Sequence, residues 1–364
     1  MFRSAPKLSR RITLGAICVS GLGWIACGPE PVPDRRRELL RSWVNDFLLA
    51  RYAAFLIKLE ALRETSRALE DSPGDDDLEA AQSAWRDARK PWKETEVFKF
   101  GPVADEPLRY GPKIDFWPAR PDAVETVLAE TGAIDPDDLG AAAKGLPAVE
   151  YLLFAEGALE GFRESARRYE YLRALIDDLT VQTQRLADAW EPAGGDYESE
   201  LVDAGAGSSM YDTLSMALSE VVNRMGFTVE NIRADKLGAG IAPDGTPQPE
   251  KLESLFSGRS IGDIDDNLRG IEQLYFGDPK LSLLGLDDYL QHRGFHLGER
   301  MRSELANSRA ALERIDLPLS VAIDSEQALV EDAIDRLELL QRLIQVDVIG
   351  ALSLNVRFND NDGD

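Results

Sequence analysis

Two cysteines and two histidines are all that this 364-residue chain carries of the side chains that most often bind metals or form cross-links. Cys18 and Cys27 both lie near the N-terminus, so no disulfide framework can staple the fold, and stability must come from packing. There is no two-cysteine metal motif, no haem-attachment motif, no glycine-rich phosphate loop after a strand and no nucleophile triad. Positive charge is scarce as well: 41 Lys and Arg stand against 65 Asp and Glu, a net charge of −24. Such a chain repels a phosphate backbone, which excludes nucleic acid as a partner. The acidic surface favours solubility and attracts cations. Alternating strand patterns are rare.

What the N-terminus does contain sets a compartment. Arg3, Lys7, Arg10 and Arg11 precede an apolar run over residues 12–26. That run is too short to span a bilayer and has the shape of a secretory signal. It ends in Trp24-Ile25-Ala26-Cys27-Gly28, similar to a lipoprotein processing box, with Trp24 where leucine is usual. The reading is a signal peptide over 1–26 and lipidation at Cys27, against the alternative of an ordinary signal-peptide cysteine. Gly28 rather than an aspartate at the next position points to the outer membrane, facing the periplasm. Pro29, Pro31 and Pro33 make residues 27–36 a stiff spacer between lipid and fold.

Beyond the spacer the periodicity is helical. Leu40, Trp43, Val44, Phe47, Leu48, Tyr52, Phe55, Leu56, Leu59 and Leu62 form one apolar stripe over 37–69. Asp71-Ser72-Pro73-Gly74-Asp75 stops it. Further helices are predicted over 78–98, with a bend or restart at Pro91, and over 172–190, 211–237, 264–275, 286–312 and 325–343. The fold class is all-α: two packed antiparallel helical bundles, 37–195 and 196–364, divided at the Gly- and Pro-containing stretch 191–196.

Five blocks carry a family likeness. They are Trp92 to Pro102 (WKETEVFKFGP), Lys113 to Pro118 (KIDFWP), Gly145 to Phe154 (GLPAVEYLLF), Glu253 to Ser260 with Asn267 to Gly270, and Val356 to Asp364. In this order they resemble the imelysin family of bacterial surface and periplasmic proteins. The resemblance implies an all-helical fold with the signature region near the interface of two halves. It also implies a link to iron uptake or regulation, and a metallopeptidase label given to some members. The family signature is Gly-x-His-x-x-Glu; here Pro147 stands where the histidine would be, between Gly145 and Glu150. Proline can neither ligate a metal nor move a proton, so no catalytic residue is assigned.

Pro147 suits the first turn of a helix, which would place Glu150 at that helix start. Glu150 is then either an aimed carboxylate or a structural one paired with Arg120 or Arg259. The expected ligand site is a cleft between the halves lined by Asp115, Trp117, Glu150, Tyr151 and Arg259. A second match, Gly294-Phe295-His296-Leu297-Gly298-Glu299, spells the signature literally. With His292 it offers His292, His296 and Glu299 at i, i+4 and i+7, a divalent-metal spacing if one helix carries all three; a solvated helix face is the alternative. The acidic tail 360–364 lacks the spacing of a calcium loop. The functional expectation is a non-catalytic binding component of iron or haem acquisition, with iron or another divalent cation as the implied cofactor. Its partners would be the membrane, through the lipid, and iron-uptake or redox proteins of the envelope. A metallopeptidase and an envelope interaction module are the alternatives.

Overall fold

The structure, a computed structural model, describes residues 35–354; the signal segment, Cys27, the proline spacer and the block at 356–364 lie outside the described residues. A helical stripe opens the fold: α1 (Arg35–Ser42) runs through a wider π-helical turn (Trp43–Leu49) into α2 (Ala50–Asp71). The expected stop follows, and α3 (Asp75–Glu94) runs back against α2. Asp75, Asp76 and Asp77 crowd its first turn, where the exposed N–H groups favour negative charge. Pro91 sits inside α3 without ending it; the chain tightens into a 3₁₀ turn only at Thr95–Phe98.

Short helices follow: α4 (Gly111–Ile114), α5 (Pro121–Ala129), α6 (Gly145–Phe154), expected from Pro147, and α7 (Ala158–Glu164). Then come α8 (Ala166–Trp190) and α9 (Tyr197–Val202), separated by the turn in which the domain boundary was expected. α10 (Leu214–Asn231) is capped by Thr213, whose side chain accepts from the Met216 N–H at 3.2 Å. It passes into a second π-helical segment, Ile232–Leu237. α11 (Ser260–Phe276), α12 (Leu286–His292), α13 (Gly298–Glu313), α14 (Leu319–Ser325), α15 (Gln327–Arg342), a third π segment (Leu343–Val348) and α16 (Ile349–Leu352) follow.

The all-α expectation holds. Among the described residues there is no strand, only the isolated bridges Ile241–Pro247 and Asp278–Leu283. One expected helix breaks in two. Residues 286–312 are interrupted at 293–297, where Gly294 adopts φ +84° and ends the turn after α12.

α2, α3, α6 and α8 pack together, as do α10, α11, α13 and α15, and α3 lies along α11. That last contact is close. A Cβ on Gly270 would fall 2.0 Å from the Glu94 carbonyl oxygen, so α11 meets the end of α3 only because residue 270 has no side chain. Gly145 does the same for α6: it adopts φ +78°, and a Cβ there would sit 2.5 Å from the Ile114 carbonyl oxygen. These two approaches bring α3, α6, α11 and the segment after Ile114 to one point. Gly270→Ala should push α11 off α3 and cost about 1–3 kcal/mol. A melting temperature equal to that of the unsubstituted protein would show that the approach is not tight.

Candidate functional site: a buried charge cluster beneath a cleft

At that point α3 turns one face inward. Trp85, Arg89, Trp92 and Lys93 recur at helical spacing, and all four are buried. The guanidinium of Arg89 lies over the Trp85 ring, 5.2 Å from its centroid. Arg89 then spends its donors on three carboxylates from three places in the chain. Nε donates to Asp263 Oδ2 at 2.7 Å, Nη1 to Asp115 Oδ1 at 3.1 Å and Nη2 to Glu253 Oε1 at 3.2 Å. Asp263 belongs to α11, Asp115 follows α4, and Glu253 lies in the loop before α11.

Lys93, one turn further along α3, extends the cluster. Its Nζ donates to Glu253 Oε1 at 2.6 Å and Asp115 Oδ2 at 3.3 Å, and lies 3.4 Å from Glu96 Oε2. Trp92 Nε1 donates to Asp115 Oδ2 at 2.8 Å. From the opposite side the π segment after α10 delivers Lys236, 3.0 Å from Glu253 Oε2 and 3.4 Å from Glu96 Oε1, donating to Asn267 Oδ1 at 2.7 Å. The Asn267 amide donates in turn to the Lys93 carbonyl at 2.7 Å. Arg259 pairs with Asp263, and with Asp266 at 2.6 Å. Ser254 also donates to Asp263.

Burial opposes every one of these charges, and the opposite charges decide the outcome. For Arg89 burial is overcome by Asp115, Asp263 and Glu253, and its pKa lies well above the ordinary value. Lys93 is likewise held charged, against burial, by Glu253, Glu96 and Asp115. Burial acts against Glu253, Glu96 and Asp115 too, yet the surrounding cations hold all three below the usual carboxylate range. Lys236 and Asp266 are the exceptions: burial lowers the pKa of Lys236 more than Glu253 and Glu96 raise it, and burial raises that of Asp266 more than Arg259 lowers it.

Above the cluster opens a cleft of about 460 Å³. Trp92, Glu96 and Asp115 reach it from the cluster, with Lys99 beside them. Arg109, Phe116 and Trp117 form one lip; Glu220, Arg224 and Phe227 of α10 form the opposite wall. Lys99 ties floor to rim through its contact with Glu96 Oε1 at 2.6 Å.

Of the five residues expected to share a cleft, the structure places Asp115 and Trp117 in it. Glu150 and Arg259 lie beside the buried cluster instead, and Tyr151 faces outward, its hydroxyl donating to Glu125 at 2.9 Å and its ring edge-on to Phe256. Glu150 is not in the first turn of its helix. α6 starts at Gly145, and Pro147 occupies its third position. Nor does Glu150 pair with Arg120 or Arg259. Its Oε1 accepts from the Ser257 N–H at 2.8 Å and the Ser257 hydroxyl at 2.7 Å. Burial raises its pKa to about 7, against the lowering influence of Arg89 and Ser257.

His292, His296 and Glu299 do not share a helix face. α12 ends at His292, the chain turns, and α13 begins at Gly298. All three are exposed; His292 Nδ1 lies 2.8 Å from the Asp288 carbonyl, and Glu299 pairs with Arg302 at 3.5 Å. Among the described residues no three His, Cys, Asp or Glu side chains gather to hold a metal.

Arg89, Lys93, Lys236, Glu253 and Asp263 were not singled out from sequence as site residues. Arg89 and Lys93 did carry a signal, two basic residues four apart on the helical face that also carries Trp85 and Trp92. Lys236 carries none, because a π-helical turn shifts it out of the helical register.

The described residues form an all-helical protein packed around a buried ionic cluster, and the sequence supplies the family. The chain belongs to the imelysin family, whose pattern it matches over residues 48–344. It is similar to iron-regulated protein A of Synechococcus elongatus, 27% identical over 327 residues covering 88% of this chain and 87% of that protein. Two crystal structures share its fold. A candidate iron-regulated protein A precursor from Parabacteroides distasonis matches with a TM-score of 0.69 and 21% identity, over 90% of this chain and 96% of that one. An imelysin-like protein from Psychrobacter arcticum 273-4 matches with a TM-score of 0.68 and 19% identity, over 89% and 97%.

Two measurements test the cluster. Arg89→Met removes a cation shared by three buried carboxylates and should cost about 3–5 kcal/mol in chemical denaturation; a loss below about 1 kcal/mol would show that the carboxylates find other partners. Glu150 has a folded-state pKa of about 7 against an ordinary value of 4.5, so folding favours its protonated form. That contribution is complete below pH 4.5 and is lost as pH rises through about 7. Glu150→Gln should therefore gain on the parent protein by about 1–3 kcal/mol between pH 4.5 and pH 8. A difference that stays flat across this window would mean that Glu150 titrates in the ordinary carboxylate range.

Proposed function

We infer that this chain is a non-catalytic binding protein of the bacterial envelope that serves iron acquisition and takes its ligand in the cleft above the charge cluster. The observation that carries the reading is the cleft itself. Its floor is a fully buried, mutually paired ionic network, so the side chains facing the ligand are held in place before anything binds. Aromatic walls with a few convergent polar groups are the usual make-up of a ligand pocket. The link to iron rests on the relative named iron-regulated protein A. Binding rather than peptidase chemistry is supported by Pro147 in the signature, which supplies no ligand and no base. Placement at the envelope rests on the signal-like N-terminus and Cys27. Among the described residues no helix is long and apolar enough to cross a membrane, so an anchor would have to lie elsewhere, as a lipid on Cys27 would.

A deletion strain tests the reading. It should take up radioactive iron more slowly than its parent under iron limitation. The intact gene should restore uptake, and Trp117→Ala, which removes one lip of the cleft, should not. Cys27→Ala should lose fatty-acid labelling and restore uptake poorly. Equal uptake with and without the gene would overturn the proposal, as would cleavage of unfolded casein by the purified protein.

A further inference from the structure

The charges at the cleft are not distributed evenly between buried and exposed atoms. Its three carboxylates are hidden and committed. The side chain of Glu96 is 3% exposed and faces Lys93, Lys99 and Lys236; that of Asp115 is 4% exposed and held by Arg89, Lys93 and Trp92; that of Glu220 is 7% exposed and bonded to Arg224. Its three cations stand out in the opening: Lys99 at 42%, Arg109 at 57% and Arg224 at 31%. A bare metal ion entering here would meet ammonium and guanidinium groups first, and would have to break buried ion pairs to reach an oxygen ligand. An anion would meet donors already in place. Lys99 uses one of its three N–H groups on Glu96 and keeps two. Arg224 is steadied between the Phe100 and Phe227 rings, 5.9 and 5.7 Å from their centroids. Among the described residues Arg109 is met only by Glu106 at 3.4 Å, an exposed pair of little strength. Beside these cations Trp117 and the 37%-exposed Phe116 present flat unsaturated faces.

We propose that the cleft binds a negatively charged organic molecule with a flat unsaturated face, an aromatic carboxylate or its metal chelate, and not a bare metal cation. The proposal rests on the reading that the cleft is the binding site. It gives the acidic protein a local reversal of sign: long-range repulsion is overcome by short-range contacts in the opening, as paired donors on one carboxylate or catecholate can do.

The test is tryptophan fluorescence of the purified protein, titrated with ferric 2,3-dihydroxybenzoate, metal-free 2,3-dihydroxybenzoate, ferric citrate and manganese(II) chloride. The aromatic chelate should change the emission, and Arg109→Glu should weaken its binding about tenfold or more, the effect of one lost charge-assisted contact and one added repulsion. Arg109→Lys should recover most of that loss, and rising salt should weaken binding. Melting curves of each variant confirm that the fold survives, which the exposure of Arg109 favours. Manganese(II) binding that tightens in Arg109→Glu while the aromatic anions fail would overturn the inference and leave the cleft as a cation site. Ferric citrate binding as tightly as the aromatic chelate would overturn the flat-face requirement. If no probe, anion or cation, changes the emission of the parent protein differently from Trp117→Leu, the cleft is not the binding site and both readings fall together.

Discussion

Arg89 is the residue on which the interior depends. Its guanidinium is planar and rigid, and it meets Asp115, Glu253 and Asp263 at 2.7–3.2 Å while lying over Trp85. Those carboxylates come from a loop after α4, a loop before α11 and α11 itself, so one side chain on α3 fixes the register of three separate pieces of chain. Lys93 also meets three carboxylates, but from a single ammonium; the guanidinium adds a rigid fork whose separate donors each set a direction. Taking the charges out of water is expensive, and mutual attraction offsets that cost only when every member is paired. The network is accordingly close to balanced. Arg89, Lys93, Lys236 and Arg259 face Asp115, Glu96, Glu253, Asp263 and Asp266, and Lys99 adds the fifth positive charge from the cleft side.

The same arrangement explains why irregular structure gathers around the cluster. Lys236 reaches Glu96 and Glu253 from a π-helical turn, which widens the helix by one residue and swings the side chain inward. Ser254 sits in the left-handed region at φ +53°, in the loop that aims Glu253 at two cations. Non-glycine residues rarely adopt that conformation, and they persist where surrounding contacts over-determine it. Here the Ser254 hydroxyl donates to Asp263 and the Ser260 hydroxyl to the Glu253 carbonyl. Gly270 and Gly145 let backbones approach so that ionic distances can be met.

Much of the fold was legible because long amphipathic helices announce themselves. The stripe from Leu40 to Leu62, the stop at 71–75 and the helical character of 172–190 all follow from spacing and turn chemistry. The helix at α6 was legible from Pro147 rather than from a period; what stayed hidden were the short helices α4, α5 and α7, too brief to display a period, and the break at Gly294, where residues apolar enough for a continuous helix meet a single left-handed glycine. The site was legible in part. Asp115, between Ile114 and Phe116, was expected in the cleft, and it pairs with Arg89 in the interior. Its partners were invisible because ionic pairing joins residues more than a hundred positions apart, such as Arg89 with Glu253, and no one-dimensional pattern encodes which buried acid meets which buried base. The reasoning about His292, His296 and Glu299 failed for a specific reason: i, i+4, i+7 spacing implies a shared face only while the helix is continuous.

The altered signature can now be read residue by residue. Gly145 is required by the close approach to Ile114, whatever stands at position 147. Glu150 is required by the loop before α11, because it accepts both Ser257 donors and holds that loop against α6. Leu146 offers its carbonyl to Trp85 on α3 at 3.1 Å. Each of these roles joins α6 to an element bearing a member of the charge cluster, and none of them involves the side chain of residue 147. A proline there costs little, since the early N–H groups of a helix have no partner within the helix. The rest of the signature therefore keeps a physical reason to persist after its histidine position has lost any donor: it is a clamp that sets the distance between the segment carrying Asp115 and the loop carrying Glu253, and through them the shape of the cleft.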